Sequence, residues 1–331
     1  MTPAVRARGW CRVDFAGGTL DIWPLGLLHR GARTVNTAID LPVQVAILPR
    51  ERGFRVVQDD GDWEAEGVAE LIQSPRTALV GLILEALEIG PAEIRLSSSS
   101  PRGGGLGASS ALAVTLISAA RRLRGDADAD PGGTVALARD LEARLMSLPT
   151  GCQDHYPALL GGALVLEPIP GGQRVRQLPV DLEALGQQLV LAFTGQSHFS
   201  AGANWTIVRR RLDGDPEISR LFAAIAEVAS EMEQALVAGS WSRVGALMAE
   251  EWRSRRRFSE AISTPGIERL LEAASLAGAW GGKACGAGGG GCVAVLTAPE
   301  LRAGVEQALR EAGGQIVAAR PTALPLSVTA R

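Results

Sequence analysis

Pro101-Arg-Gly-Gly-Gly-Leu-Gly-Ala-Ser-Ser-Ala111 follows a strand-like run, Glu93–Leu96, and opens the helical spacing of Ser109–Leu123. Glycines at such a junction let backbone N–H groups turn inward with no Cβ in the way. The helix behind adds unpaired N–H groups and the positive end of its dipole, so the place suits a phosphate. Ser109 and Ser110 fall at the N-cap and first turn, where a hydroxyl either caps the helix or coordinates a magnesium ion. No lysine follows the glycines, so the loop is not a G-x-x-x-x-G-K-[ST] motif. It meets the dinucleotide fingerprint only through Gly103, Gly105 and a permitted final alanine, Ala108. A glycine-rich turn before a helix is a weak sign alone, and the rest of the chain has to decide.

A second cluster, Gly281-Gly-Lys-Ala-Cys-Gly-Ala-Gly-Gly-Gly-Gly-Cys292, lies between two apolar strand-like runs and holds seven glycines in twelve positions. A tight hairpin needs one or two, and each further glycine costs roughly 0.5–1 kcal/mol relative to alanine. Close approach of backbone to a ligand, or of one domain to another, is therefore expected. Lys283, inside this cluster, is the only lysine among 33 basic residues, and Tyr156 is the only tyrosine. GC-rich coding accounts for the arginine bias; against that background the two single residues stand out.

The 331 residues are 46% hydrophobic with a net charge of -3. That is too apolar for a disordered chain, too neutral for one that grips nucleic acid, and long enough for two cored domains. Cys11, Cys152, Cys285 and Cys292 show neither metal-ligand spacing nor a disulfide framework and read as buried thiols. The first ten residues lack a signal-peptide core, and the longest apolar run, Leu112–Ala120, is far short of a membrane span. A soluble cytoplasmic protein is expected, with no membrane partner.

Strands are expected at Gln44–Leu48, Phe54–Val57, Glu93–Leu96 and Ala163–Leu166, and helices at Thr77–Leu87, Ser109–Leu123 and Val135–Met146. The acidic stretch 126–130 reads as a solvated loop. Pro168-Ile-Pro-Gly-Gly-Gln173 reads as a linker dividing the chain into 1–170 and 171–331. Beyond it follow a strand at Leu189–Phe193, helices at Glu217–Ala238, Trp241–Arg257 and Ile267–Ala277, and a closing alternation: strand near Lys283, strand Cys292–Leu296, helix Pro299–Glu311, strand Gln315–Ala318.

Three separated motifs now resemble the GHMP kinases, in that family's order: Arg12-Val-Asp-Phe-Ala-Gly-Gly-Thr-Leu-Asp21, Pro101–Ala111 and Lys283–Cys292. The resemblance implies an α+β fold, an N-terminal α/β domain with a left-handed crossover followed by a C-terminal ferredoxin-like domain. Within the family the chain is most similar to the heptose-phosphate and fucose-type sugar kinases. The forms of Arg12–Asp21 and of Thr150-Gly-Cys-Gln-Asp-His-Tyr-Pro-Ala-Leu-Leu-Gly-Gly162, and Glu251-Trp252 ahead of Ile262–Ile267, carry that likeness. Two positions depart from the pattern: Ala108 replaces the first of two paired serines, and His155 stands where the branch usually has glutamine.

What the resemblance implies for the site is specific. Asp154 is the general base and Arg12 its catalytic partner. Pro101, Gly103, Gly104, Gly105, Leu106, Gly107, Ala108, Ser109 and Ser110, with Gly288 and Gly289, hold ATP. Ser109 and Glu142 hold Mg2+. Asp14, Gly17, Gly18, Asp21, Gln153, His155 and Lys283 meet the substrate. Local sequence alone also permits Asp154 as a helix cap, Glu142 as a solvated helix charge, Arg12 as a surface arginine and Asp21 as a turn acid before Trp23-Pro24. The runs Arg209–Arg211 and Arg253 with Arg255–Arg257 either bind a phosphate already present on the sugar or, the commoner case, form solvated helix faces. His29 and His198 read as ordinary polar residues. The implied activity is ATP-dependent phosphorylation of a sugar or sugar-phosphate hydroxyl, the anomeric one favoured, as in heptose 7-phosphate kinase or fucokinase. The alternatives are a mevalonate-type isoprenoid alcohol kinase and a non-catalytic nucleotide-binding protein. A homodimer is left open as the assembly.

Overall fold

A computed structural model describes residues 4–126, 130–197 and 201–330, the side chains of 201–204 excepted. Residues 127–129 of the acidic stretch and His198 therefore lie outside the described residues. The first sheet begins with β1 (Val5–Ala16), β2 (Thr34–Pro49), β3 (Phe54–Gln58) and β4 (Gly61–Ala65). Helices α1 (Val68–Gln73) and α2 (Ala78–Ala86) lead to β5 (Ala92–Ser98). Helices α3 (Ala108–Arg124), α4 (Pro131–Met146) and α5 (His155–Leu160) follow, then β6 (Ala163–Ile169) and β7 (Gly172–Leu178). The strand order is β12-β1-β2-β5-β3-β4, with the β6–β7 hairpin attached to β2 and with β3 and β5 parallel. Here β12 (Ser327–Ala330) is the last strand of the chain, returned to the sheet of the first.

Between them, α6 (Leu182–Gln188), β8 (Leu189–Phe193), α7 (Ala201–Leu212), α8 (Pro216–Val237), α9 (Trp241–Arg255), α10 (Pro265–Leu276), β9 (Gly281–Ala284), β10 (Cys292–Leu296), α11 (Arg302–Glu311) and β11 (Gln315–Val317) form the second unit. Its antiparallel sheet runs β11-β8-β10-β9. From β8 the chain runs strand, helices, strand, strand, helix, strand, the ferredoxin-like arrangement. Helix starts follow from local chemistry: Asp130, Asp215 and Thr264 each precede a proline and accept a backbone N–H of the first turn.

The expected linker at Pro168–Gln173 is instead the turn of the β6–β7 hairpin, where Pro168 pairs with Gln173 and Ile169 with Gly172. A division at 170/171 would cut this hairpin, so residues 172–178 stay with the first sheet. The same Pro and Gly signals serve a tight turn and a linker, and the arginine-bearing strand β7 lacks the apolar run that would have told them apart. In β1, Val5 and Ala7 are buried while Arg6 and Arg8 face out; from Gly9 both faces are covered, with α8 and α9 of the second unit packed on it. That double burial is where the site is built. All four cysteines are free and buried, and burial pushes the Cys11 and Cys285 thiols up to about 12.

Candidate active site

Arg12 and Asp14 stand two residues apart on β1 and share one face. The Arg12 guanidinium donates from Nε to Asp154 Oδ1 at 2.8 Å and from Nη1 to the Gly105 carbonyl at 2.6 Å, and its Nη2 lies 2.6 Å from the same Asp154 oxygen. Arg12 is 2% exposed, so the surface reading fails; Asp154, 26% exposed, reaches the open side of the pair. Burial disfavours the Arg12 cation, but Asp154 and Asp14 outweigh it and hold its pKa above the usual arginine range. Asp154 occupies the N-cap position of α5, yet its side chain makes no capping bond. Its carboxylate serves the arginine and the cavity.

That cavity, of about 780 Å³, is walled by the first turn of α3 through Ser109 and Ser110, by Glu142 of α4, by the 148–155 segment carrying Gln153, Asp154 and His155, and by Thr19 and Asp21. Gly107, with φ of +75°, holds the N-cap position of α3, so neither serine caps it and both border the cavity. Asp21 Oδ2 accepts the backbone N–H groups of Cys152 at 2.6 Å and Gln153 at 2.8 Å, which clamps the segment carrying Asp154. Burial raises the Asp21 pKa against those two donors. Glu142 is buried rather than solvated, and its Oε2 lies 3.0 Å from His155 Nε2. Burial opposes a charge on His155, and Glu142 outweighs it, so the imidazole pKa is raised. Gln153 Oε1 is buried without a hydrogen-bond partner.

The two glycine clusters lie backbone on backbone. A Cβ at Gly105 would sit 2.6 Å from the Cys285 carbonyl oxygen, one at Gly291 2.9 Å from that of Gly103, and Cys292 N–H donates to Gly104 O at 2.8 Å. Approach of one domain to another is therefore what the second cluster provides. At Gly107 a Cβ would come within 3.1 Å of Asp154 Cβ, so glycine there makes room for the Asp154 side chain. Gly288 and Gly289, expected at the nucleotide, pack instead against Ile262 O; Gly286 and Ala287 are the members that reach the cavity. The Leu106 side chain is in the core, and its carbonyl accepts the Arg12 N–H at 2.9 Å.

Lys283 and Asp14, expected to meet substrate, are fully enclosed and do not border the cavity. Lys283 Nζ lies 2.5 Å from Asp14 Oδ2 and 3.3 Å from Glu251 Oε2, and Gly286 N–H donates to Asp14 Oδ1 at 3.0 Å. Burial alone would raise the Asp14 pKa, but Lys283 and Arg12 hold the carboxyl well below the usual range. Glu251 Oε1 accepts from Arg255 Nε at 2.8 Å, and Arg255 donates on to Gly18 O at 2.8 Å and Thr19 Oγ1 at 3.2 Å. Of the basic run, Arg255 is buried while Arg253, Arg256 and Arg257 are exposed. Glu251 and Thr19 were absent from the expected site, and Arg255 was read only as one of a run of arginines on a phosphate or in solvent. The Glu251–Arg255 spacing of four on a helix was the available signal. Tyr156 packs with Cys152, Leu164 and Leu166 in a small separate core.

Oxygen donors from Ser109 of α3 and Glu142 of α4, bordering the same cavity, are of the kind a hard divalent cation takes, which keeps several waters and needs only one or two protein carboxylates. Among the described residues no group of three or more His, Cys, Asp or Glu could hold a metal ion. Left-handed glycines at 103, 105 and 107 form the turn ahead of α3.

A family profile described as GHMP kinases N terminal domain matches residues 74–162, and one described as GHMP kinases C terminal matches residues 232–315. The D-glycero-alpha-D-manno-heptose 7-phosphate kinase of Campylobacter jejuni is 25% identical over 94% of this chain and 95% of its own length. The bifunctional fucokinase/GDP-fucose pyrophosphorylase of Arabidopsis thaliana is 27% identical over 89% of this chain, which spans 30% of that protein's length. The crystal structure of Lactococcus lactis galactokinase complexed with galactose superposes with a TM-score of 0.79, covering 98% of this chain and 95% of that one; at 16% identity the likeness is one of fold. Among the described residues no helix is long and apolar enough to cross a membrane.

Proposed function

The chain belongs to the GHMP kinases, and from that premise we propose that it transfers the terminal phosphoryl group of ATP to a sugar or sugar-phosphate hydroxyl, the anomeric one, with a magnesium ion. The observation that carries this reading is the pair formed by buried Arg12 and partly exposed Asp154 at a cavity that Ser109 and Glu142 also border. Asp154 accepts the proton of the attacking hydroxyl. Arg12 orients that carboxylate and offsets charge on the group being moved. Asp21 holds the base segment in place through its two backbone bonds. The backbone N–H groups around Gly103–Gly107 and the start of α3 receive phosphate oxygens. Magnesium, held by Ser109 and Glu142, would supply the counter-charge between phosphates.

Polar groups at Thr19, Asp21, Gln153 and His155 on the acceptor side suit a polyhydroxylated substrate better than an isoprenoid chain, and an unpaired Gln153 Oε1 awaits a donor. The heptose 7-phosphate kinase and fucokinase relatives support the same choice. An ADP-release assay over fucose, galactose, heptose 7-phosphate, glucuronate and mevalonate tests it, with phosphorus NMR locating the new ester. Turnover with a sugar is expected. Activity on mevalonate alone would overturn the proposal, and tight ATP binding with no turnover on any acceptor would favour the non-catalytic reading.

A further inference from the structure

One run of buried charge crosses from each half of the molecule into the other. Lys283 of β9 sits between Asp14 of β1 and Glu251 of α9. On one side Asp14 stands 3.5 Å from Arg12, the partner of Asp154. On the other, Glu251 orients the Arg255 fork, whose remaining donors reach Gly18 O and Thr19 Oγ1. Three carboxylates face three cations, so each charge is matched only while all are present. Thr19 borders the cavity with φ of +76°, a left-handed conformation that is a marked outlier for a β-branched residue. The turn around it carries short bonds from Leu20 N–H to Gly17 O and from Ile22 N–H to Thr19 O, and its two ends are tied through Thr34 Oγ1 to Gly17 O at 3.0 Å and through Asp21 to the 152–153 backbone. Between those ends, the fork of Arg255 adds the side-chain bonds at Gly18 and Thr19.

We propose that Arg255, set by Glu251 and Lys283, is the positioning residue for the acceptor: it keeps Gly18 and Thr19 in the shape the acceptor meets. The same lysine, through Asp14 and Arg12, sets the base, so that acceptor loop and base are registered against one buried ammonium. The kinetic part of this inference rests on the kinase reading above; the structural part does not.

Arg255→Met keeps most of the volume and removes every donor. Loss of hydrogen bonds from a charged group predicts about tenfold or greater loss of amide exchange protection at Leu20 and Ile22, with α3 unchanged. With a sugar that the wild type phosphorylates, the acceptor KM rises about tenfold or more while the ATP KM stays within about twofold, and Arg255→Lys recovers part of the loss. Unchanged exchange at Leu20 and Ile22, or equal rises in both KM values alongside a lower Tm, would overturn the proposal in favour of a purely structural role. If Arg255→Met does not fold, Glu251→Gln, which frees the fork and keeps the helix, is read by the same exchange measurement. A wild type that phosphorylates no sugar defeats the kinase reading, and the exchange measurement still decides the relay.

Discussion

A carboxylate at the start of a helix can cap it or do chemistry, and at Asp154 the side-chain bonds separate the two: none goes to the helix, two come from Arg12. Asp154→Asn should therefore retain ATP binding and lower kcat by about two to four orders of magnitude, the usual loss for a base; titration calorimetry and steady-state rates check both halves. Lys283 is the residue whose expected role changed most. Its rarity in an arginine-rich chain marked it, but sequence does not say whether a lone lysine faces ligand or protein, and here it is 0% exposed between two acids. Breaking a buried pair by removing one partner costs about 3–5 kcal/mol. Lys283→Met should lose stability on that scale, and Lys283→Arg should also be impaired because the enclosed space must take a larger fork. Arg209→Lys, at an exposed site, should melt as the wild type does; equal melting of all three variants would contradict the assignment.

At the scale of elements, the two glycine loops show how far local sequence reaches. Their positions before a helix and between strands were legible, and so was the demand for close approach, because seven glycines exceed what a turn needs. The identity of the approaching body was not, since Cys285 meets Gly105 across 180 positions of chain and no local rule encodes that meeting. Gly105→Ala brings a Cβ within 2.6 Å of a carbonyl at φ of +70°, and should both destabilise the protein and raise the ATP KM. Gly133→Ala in α4 meets nothing, and by helix propensity should stabilise by about 0.5–1 kcal/mol without changing the KM. Denaturant melts and ATP titrations of the pair distinguish a packing requirement from a general sensitivity to lost glycine. The β6–β7 hairpin is the converse case, a turn whose punctuation was seen and whose partner strand was too polar to announce itself.

At the scale of the molecule, contacts between distant segments set the response to pH. Arg211 Nε donates to His29 Nε2 at 2.9 Å, joining α7 to the segment after β1. Burial and then the Arg211 charge push the His29 pKa down to about 4 from 6.5. Because the folded value is the lower one, the unfolded chain takes up the proton first as pH falls. The neutral imidazole's stabilisation is whole above about pH 6.5 and is lost toward pH 4, of order 1–2 kcal/mol after screening. Melting temperature should fall through that window, and His29→Gln should flatten the fall. Much of the α+β alternation was readable because helix and strand periods are local. The return of the last strand was not, since Ser327–Ala330 is short and its pairing with Val5–Arg8 depends on everything folded between.

That return makes the polypeptide close to a ring. Val5 pairs with Ala330 on adjacent antiparallel strands, so a short turn could join them, while the exposed Gly171 at the β6–β7 turn offers a place to open the loop. A permuted chain starting at Gly172 and ending at Gly171 preserves the neighbours of each strand. It is expected to melt in one transition and to keep its turnover, which would make the order in which the two halves are synthesised irrelevant to the architecture they reach.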